Sequence, residues 1–573
     1  MQGGSVAVFA ACVAVCSGFI VLKDKEYIQL NDRNGGKSLN ASTYNRLAFD
    51  PKHSILYVTA KEPRRLTAYI LDANDAPTFL TEKEFISATE GEPLDIELCN
   101  PSSGGVPRLA ISFLDPVSDS AEGVVKLYTP FTPLSTDLQL IKTITVGAEA
   151  IDIKFAQDCG ILLVANRGRP TKEGRDYRDP QGTVSKILLP ADLNPDSPLT
   201  SSTISFNGAF AGDFPSEDVM ELREKNFRYY PLRDPQNNLL TIMQNMEPER
   251  LVISPSGNIA FVSLPKNNAI ARLTLDFDQV TRVFPMGNRS WTNYHLDPSD
   301  KDNEINLRGY NIYSLSQATE MAWITKGNDE WIVTLDTGKL NYHSAYGYAD
   351  HDRAKAMSAK GSIATSDSKL QAQLNNDTEL GRLFVSTEDG KNNAGNIENV
   401  FTFGGRGFGI RDANNFETPT VVVDSVETET ERYFSSVFNT AFGKQGNTPQ
   451  TDKEATSPSL GPELTAQAVG EYDGKTVLFM GGGSSGILYV FMLSPDARCL
   501  QPYFHSIHRR GDTLSTWQTS YAAGKMGDIG ITDMMFIETT EIRPILVVAA
   551  ATSNSVSLYG IADEAFTPGS VRT

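Results

Sequence analysis

The chain has 573 residues, of which 40% are hydrophobic and 21% charged, with 45 glycines and 30 prolines. That length exceeds what one compact core usually holds, so either several domains or a repeat architecture is expected. The balance of 51 basic against 70 acidic residues gives a net charge of −19. It argues against nucleic acid, whose phosphates demand cationic contacts, and is compatible with divalent cations or with plain solubility.

The first element, Ser5–Leu22, is apolar and uncharged. It matches the hydrophobic region of a secretory signal, with small residues around Cys16, Ser17 and Gly18 for cleavage, although the leader "MQGG" carries no Lys or Arg. Residues 1–18 are read as a signal peptide and 19–573 as one mature domain. The competing reading makes "GFIVL" a first buried strand. No other run reaches the ~18 apolar residues that span a bilayer. The polar C-terminus "EAFTPGSVRT" has no hydrophobic tail of the kind a GPI signal requires. Asn40, Asn288 and Asn376 open N-x-S/T triplets, which suit a glycosylated secreted chain. Beyond the signal, Cys99, Cys159 and Cys499 permit one disulfide and one thiol, with the pair left open.

One layout then recurs. It starts at Leu47 ("LAFDPKHSILYVTAKEPRRLTAYIL"), Ile151, Leu251 ("LVISPSGNIAFVSLPKNNAIARLTL"), Ala466 and Thr532, and more loosely over 93–130 and 320–338 with 400–412. Each unit is a short apolar strand, a polar turn, a second apolar strand, a hairpin and a third, alternating strand. Period-2 runs bounded by Asp, Gly, Asn and Pro predict antiparallel strands. About seven such units predict an all-β fold, a seven-bladed β-propeller with helical and loop insertions. The strand near "EYIQL" (26–30) is expected to close the ring. A β-solenoid is the alternative, but its coils would be shorter and more regular. Insertions are expected at about 191–245, with a helix capped by Ser216, at 339–380, with a second helix, at 425–459, a polar loop, and at 499–527.

Four motifs invite chemistry. "GGGSSG" (481–486) fits both a dinucleotide fingerprint and a nucleophile elbow, but both need a following helix and "ILYVFML" reads as a strand, so a hairpin is expected. His505 and His508 would share a face only on a helix. His343, Asp350, His351 and Asp352 have metal-ligand types without an established spacing, and read first as a polar loop. The stretch "LDPSDKDNEINL" (296–307) makes Asp297, Asp300, Asp302 and Glu304 candidate calcium ligands. It is no EF-hand: counted from Asp300, position 6 is Ile305 and position 12 is Asn311, so the glycine and the closing glutamate are missing.

In order along the chain, "GAEAIDIKFAQDCGILLVANRGRP", "MEPERLVISPSGNIAFVSLPKNNAIA", "LDPSDKDNEINLRGYNIYSLSQATEMAWI", "LGRLFVSTEDG", "VFTFGGRGFGIRD" and "LVVAAATSNSVSLYGI" resemble the mesenchyme-specific cell-surface glycoproteins and the related choice-of-anchor I proteins. The resemblance implies a secreted or surface-attached propeller. Animal members are associated with calcified skeleton and shell, and no established catalytic residue carries over. The chain departs from the family pattern at "NRGRP", where Arg167 and Arg169 replace acids, at "DTGK" (336–339) and at "IGITD" (529–533). "MEPE" (246–249) and "GPE" (461–463) persist.

The expected function is that of a non-enzymatic component of an extracellular matrix, surface coat or mineral-associated assembly. It would bind calcium or other extracellular proteins, including copies of itself. The alternative is a calcium-dependent propeller hydrolase of the phosphoesterase or lactonase type, with channel carboxylates holding the ion.

Overall fold

The computed structural model describes residues 18–30, 39 and 45–565, apart from 62, 103, 174–175, 211–216, 231, 235, 344, 346, 418 and 495–499. The strands form seven four-stranded antiparallel sheets. Blade 1 holds 45–50, 55–60, 65–71 and 77–84; blade 2 holds 93–99, 108–113, 122–128 and 140–148; blade 3 holds 150–156, 161–166, 183–188 and 200–205. Blade 4 holds 251–253, 259–264, 269–274 and 279–285; blade 5 holds 321–326, 329–336, 407–412 and 421–423; blade 6 holds 464–472, 475–482, 487–493 and 502–509. Blade 7 joins 531–537, 545–550 and 555–565 to the N-terminal strand Gly18–Gln29. The innermost strands neighbour one another in sequence order, and 531–537 returns to 45–50, so the ring is closed. The expected closing strand is present, and it includes "GFIVL".

Each blade is buried on both faces, so its middle strands read as unbroken apolar runs; Ile55–Ala60 is buried at every position. The cores lie between blades. Leu163 and Val184 of blade 3 pack with Val262 and Leu273 of blade 4. Val333 and Phe408 of blade 5 pack with Leu478 and Tyr489 of blade 6. A lone blade could not bury these faces, which is why radial stacking stabilises the set.

In a four-stranded meander, the connections after the second and fourth strands emerge at one end. The long excursions 167–182, 206–250, 286–320, 337–406, 424–463 and 510–530 are all of this kind, so they cap a single face. The expected insertions need correction at their bounds. Residues 200–205 and 502–509 are the outer strands of blades 3 and 6. "TSSTIS" buries only Ile204, so it carried little strand signal. The stretch 425–459 is more than a loop: Val426–Phe434 is a helix that buries Val426 and Thr430, four residues apart, under a Thr- and Glu-rich composition. The excursion 286–320 was not separated from the blades by sequence. It forms a small core with the 337–406 excursion through Trp291, Leu296, Met357, Leu370 and Leu383. Ser216, Asn40, Cys499 and residues 1–17 lie outside the described residues.

Candidate functional site

The channel axis is surrounded by charge. Asp95, Asp152 and Asp533 each follow a β-bulge in an innermost strand. Arg46 lies on the innermost strand of blade 1, and Arg250 and Glu320 immediately precede those of blades 4 and 5. The bulge turns each aspartate toward the next blade. Asp95 accepts the Ile153 amide at 2.8 Å, Asp152 the Leu251 amide at 2.8 Å and Asp533 the Leu47 amide at 2.9 Å. Arg46 lies 3.8 Å from Asp95 and 3.7 Å from Asp533. Arg250 lies 3.4 Å from Asp152 and 2.7 Å from Glu320. Burial raises the proton affinity of all four carboxyls, and reaches about 6 at Asp533. The channel carboxylates are therefore committed to arginines and backbone amides.

A second cluster sits under the cap. Glu149 is buried between blades 2 and 3 and pairs with Arg167 and with Arg169 Nε at 3.0 Å. Burial opposes its ionisation, but the two guanidiniums overcome that and bring its pKa down to about 2. Lys339 bonds Glu249 at 2.6 Å and Lys266 bonds Glu247 at 2.6 Å. Burial again opposes, and these lysines win, so both glutamates lie below their ordinary range. The departure "NRGRP" thus supplies cations to Glu149 and, through Arg167 at 3.5 Å, to Glu249 of "MEPE", and "DTGK" supplies Lys339 to Glu249, while Glu247 is answered by Lys266.

The Asp-rich stretch lies on the 286–320 excursion and does not reach the channel ring. Its four acids are divided. Asp300 pairs with Arg382 at 2.9 Å and with Lys301 at 2.9 Å. Glu304 is exposed. Asp297 is fully buried and accepts from Ser457 Oγ at 3.1 Å. Burial, then Glu427, Glu454 and Asp302, push its pKa up to about 8. Sequence reasoning missed Glu427, Asn439 and Glu454, which lie more than a hundred residues away. Among the described residues, no three His, Cys or carboxylate side chains are already gathered in a metal-binding array.

The other motifs resolve structurally. Strands 475–482 and 487–493 pair across "GGGSSG" as a hairpin. His505 Nδ1 accepts the Ile20 amide at 3.1 Å, and His508 Nε2 meets Asp24 at 2.8 Å, both tying the closing strand to blade 6. Asp350 is buried and holds Arg228 at 2.9 Å, Asn341 at 2.8 Å and His351 at 2.9 Å. Burial pushes His343 down to about 4, and Asp352 pairs with Lys360 at 2.7 Å. This is an ordered polar loop. Cys99 and Cys159 are disulfide-bonded, with Cα atoms 5.8 Å apart. Asn288 and Asn376 are exposed. Asn288 lines a cavity of about 790 Å³ between blades 4 and 5, together with Asp336, which pairs with Arg289.

The architecture is that of a seven-bladed propeller with one capped face. The chain belongs to the choice-of-anchor I domain family, whose model matches residues 45–496. It is similar to the mesenchyme-specific cell surface glycoprotein of Strongylocentrotus purpuratus, 26% identical over 335 residues, which are 52% of this chain and 41% of that protein. It is also similar to Gigasin-3a of Magallana gigas, 25% identical over 192 residues, 33% of this chain and 66% of that one. The chain thus spans less than two thirds of either relative. Among solved structures, hydrazine synthase of Kuenenia stuttgartiensis aligns over 93% of this chain and 98% of its own at 10% identity and TM-score 0.40. The WD40 domain of Toxoplasma gondii coronin aligns over 97% and 89% at 8% identity and TM-score 0.41. At those scores the fold rests on the hydrogen bonding of the seven sheets. No helix among the described residues is long and apolar enough to cross a membrane.

Proposed function

We propose that this chain is a secreted, glycosylated, non-enzymatic propeller that acts as a structural or binding component of an extracellular matrix, surface coat or mineral-associated assembly. The capped face is its binding surface, and its partners are other extracellular proteins or further copies of itself. The Strongylocentrotus relative is a cell surface glycoprotein, which supports the location. The observation that carries the reading is the saturation of the channel: Asp95, Asp152 and Asp533 each accept a backbone amide from the next blade, and Arg46 and Arg250 lie beside them. A calcium-dependent hydrolytic centre needs carboxylates free to hold the ion.

The test has two arms. The purified chain is assayed with phosphomonoesters, phosphodiesters and lactones, with and without calcium. Turnover above background, abolished by Asp152→Asn, would overturn the non-enzymatic reading in favour of the hydrolase. Protein from the native source is fractionated into soluble and matrix-bound pools and its glycopeptides mapped. Matrix-bound chain with glycan on Asn288 or Asn376 supports the reading; unglycosylated chain confined to the cell interior refutes it.

A further inference from the structure

The seam between two cap excursions holds more negative charge than its own cations answer. Asp297, from the 286–320 excursion, is 0% exposed. Glu427, 1% exposed, and Glu454, 6% exposed, act on it electrostatically from the 424–463 excursion. One oxygen of Asp297 and one of Glu427 are well tied. Arg406 Nη1 donates to Glu427 Oε1, and its Nη2 to the Ser457 carbonyl at 2.7 Å. Asn439 Nδ2 donates to Glu427 Oε1 at 2.7 Å and to Ser457 Oγ at 3.0 Å, and Ser457 Oγ donates to Asp297 Oδ2.

The other oxygens are not tied. Asp297 Oδ1 and Glu427 Oε2 are buried without a hydrogen-bond partner, and so are both carboxylate oxygens of Asp302 near the mouth, whereas Glu454 Oε1 has only the ion pair with Lys453. Lys453 Nζ approaches Glu454 at 3.4 Å from the partly exposed side. Arg406 is the one buried cation within the network, against two fully buried carboxylates and a third at its edge. A buried carboxylate oxygen left unsatisfied costs free energy on the order of a kcal/mol or more. Two excursions that meet across such oxygens need a proton or a cation between them.

We propose that Asp297, Glu427 and Glu454, with Asp302 at the entrance, form a divalent-cation site that clamps the 286–320 excursion to the 424–463 excursion. The donor set is carboxylate oxygen throughout, with no nitrogen or sulfur, which selects a hard ion. The irregular carboxylate arrangement suits calcium, with its flexible coordination of six to eight oxygens, better than magnesium, which demands an octahedron. The carboxylates close on the ion when it binds, because as they stand no three of them surround a point. Asp300 and Glu304 take no part: Arg382 and Lys301 occupy the first, and solvent the second. The site is separate from the channel and does not depend on the extracellular role proposed above.

Calcium alone is titrated into the EDTA-treated full chain, followed by calorimetry and by thermal unfolding. Heat of binding and a calcium-dependent rise in Tm, both reversed by EDTA, are expected, with magnesium much weaker. Asp297→Asn and Glu427→Gln each weaken calcium binding at least about tenfold, while Asp300→Asn leaves it unchanged. If Glu427→Gln does not fold, Glu454→Gln replaces it, and the titration of the parent stands without any variant. Absence of calcium heat and of a Tm shift in the parent overturns the proposal, as does an unchanged response in Asp297→Asn. In either case the seam is held by protons alone. Survival of the calcium response with failure of the matrix fractionation, or the reverse, separates this site from the functional reading.

Discussion

Asp152 of blade 3 accepts the backbone amide of Leu251 of blade 4 at 2.8 Å, in a fully buried hydrogen bond that crosses the seam between two sheets. The same relation joins Asp95 to Ile153 and Asp533 to Leu47. In each, a bulge displaces the ladder just before the aspartate. The carboxylate therefore replaces a strand partner that the neighbouring blade would otherwise lack.

Asp152→Ala removes that acceptor and leaves the Leu251 amide and Arg250 facing an apolar gap. The expected loss is about 3 kcal/mol, within the range for breaking a buried charged pair. Asp152→Asn keeps an acceptor of the same shape and is expected to lose about half as much or less. Urea unfolding of the two variants side by side checks the order. Equal losses would show that charge, rather than the amide bond, holds the seam.

The closing strand offers a second test. Leu22 is 4% exposed and packs with Leu488 and Val490 of blade 6 and Val548 of blade 7. Leu22→Ala should cost about 2–5 kcal/mol through lost burial and the cavity left behind. Amide exchange should speed up first in 555–565, which pairs with this strand, and less in 259–264 of blade 4. Uniform acceleration would mean that the ring opens elsewhere.

Blades were readable in the sequence because each imposes its own pattern: apolar runs for buried strands, and Asn, Asp or Gly at the turns. The closing strand was readable at "EYIQL", whereas its first half, "GFIVL", matched the hydrophobic region of a secretory signal. Outer strands such as 200–205 were not, since they bury one side chain in six and look like loops. The functional pairings were less legible still. Nothing local marks Asp152 as an inter-blade clasp, because its role depends on a bulge and on an amide 99 residues away. Glu427 sat in a stretch that composition assigns to a loop, and its meeting with Asp297 is a product of tertiary packing. The split of the Asp-rich stretch followed from Arg382, 82 residues from Asp300. By contrast, the substitutions at Arg167 and Arg169 were visible, and only their target, Glu149, required coordinates.

The disulfide ties the innermost strand of blade 2 to the first turn of blade 3, closing a sequence separation of 60 residues. In the chain-entropy account, a loop of that length stabilises the fold by about 4 kcal/mol. Cys99→Ala with Cys159→Ala should lower the urea midpoint accordingly and raise the slope, since the uncross-linked unfolded chain exposes more surface. A loss under about 1 kcal/mol would mean that the reduced, unfolded chain is already compact in this region.

Glu149 sets the sign of a pH dependence. Its folded pKa is depressed to about 2 from 4.5 because Arg167 and Arg169 outweigh its burial. A depressed carboxyl contributes stability that is complete above its unfolded pKa and is lost as pH falls through the folded one. The window is therefore pH 4.5 down to about 2, and the full effect is about 3 kcal/mol as an upper value. Asp533 acts oppositely. Burial raises its carboxyl to about 6 from 3.8, so its contribution falls as pH rises from 3.8 to 6. Many other carboxylates titrate in the acid range, so the informative quantity is a difference. The stability of the parent minus that of Glu149→Gln, measured by urea unfolding from pH 7 to pH 3, should be level above about pH 5.5 and decline steadily below 4.5. Arg167→Met should leave the onset near 4.5 but make the decline smaller and level off at a higher pH, because with one of the two charges gone the folded pKa moves up toward the unfolded one. A flat difference across the whole range would show that the arginines pack against Glu149 without stabilising its charge.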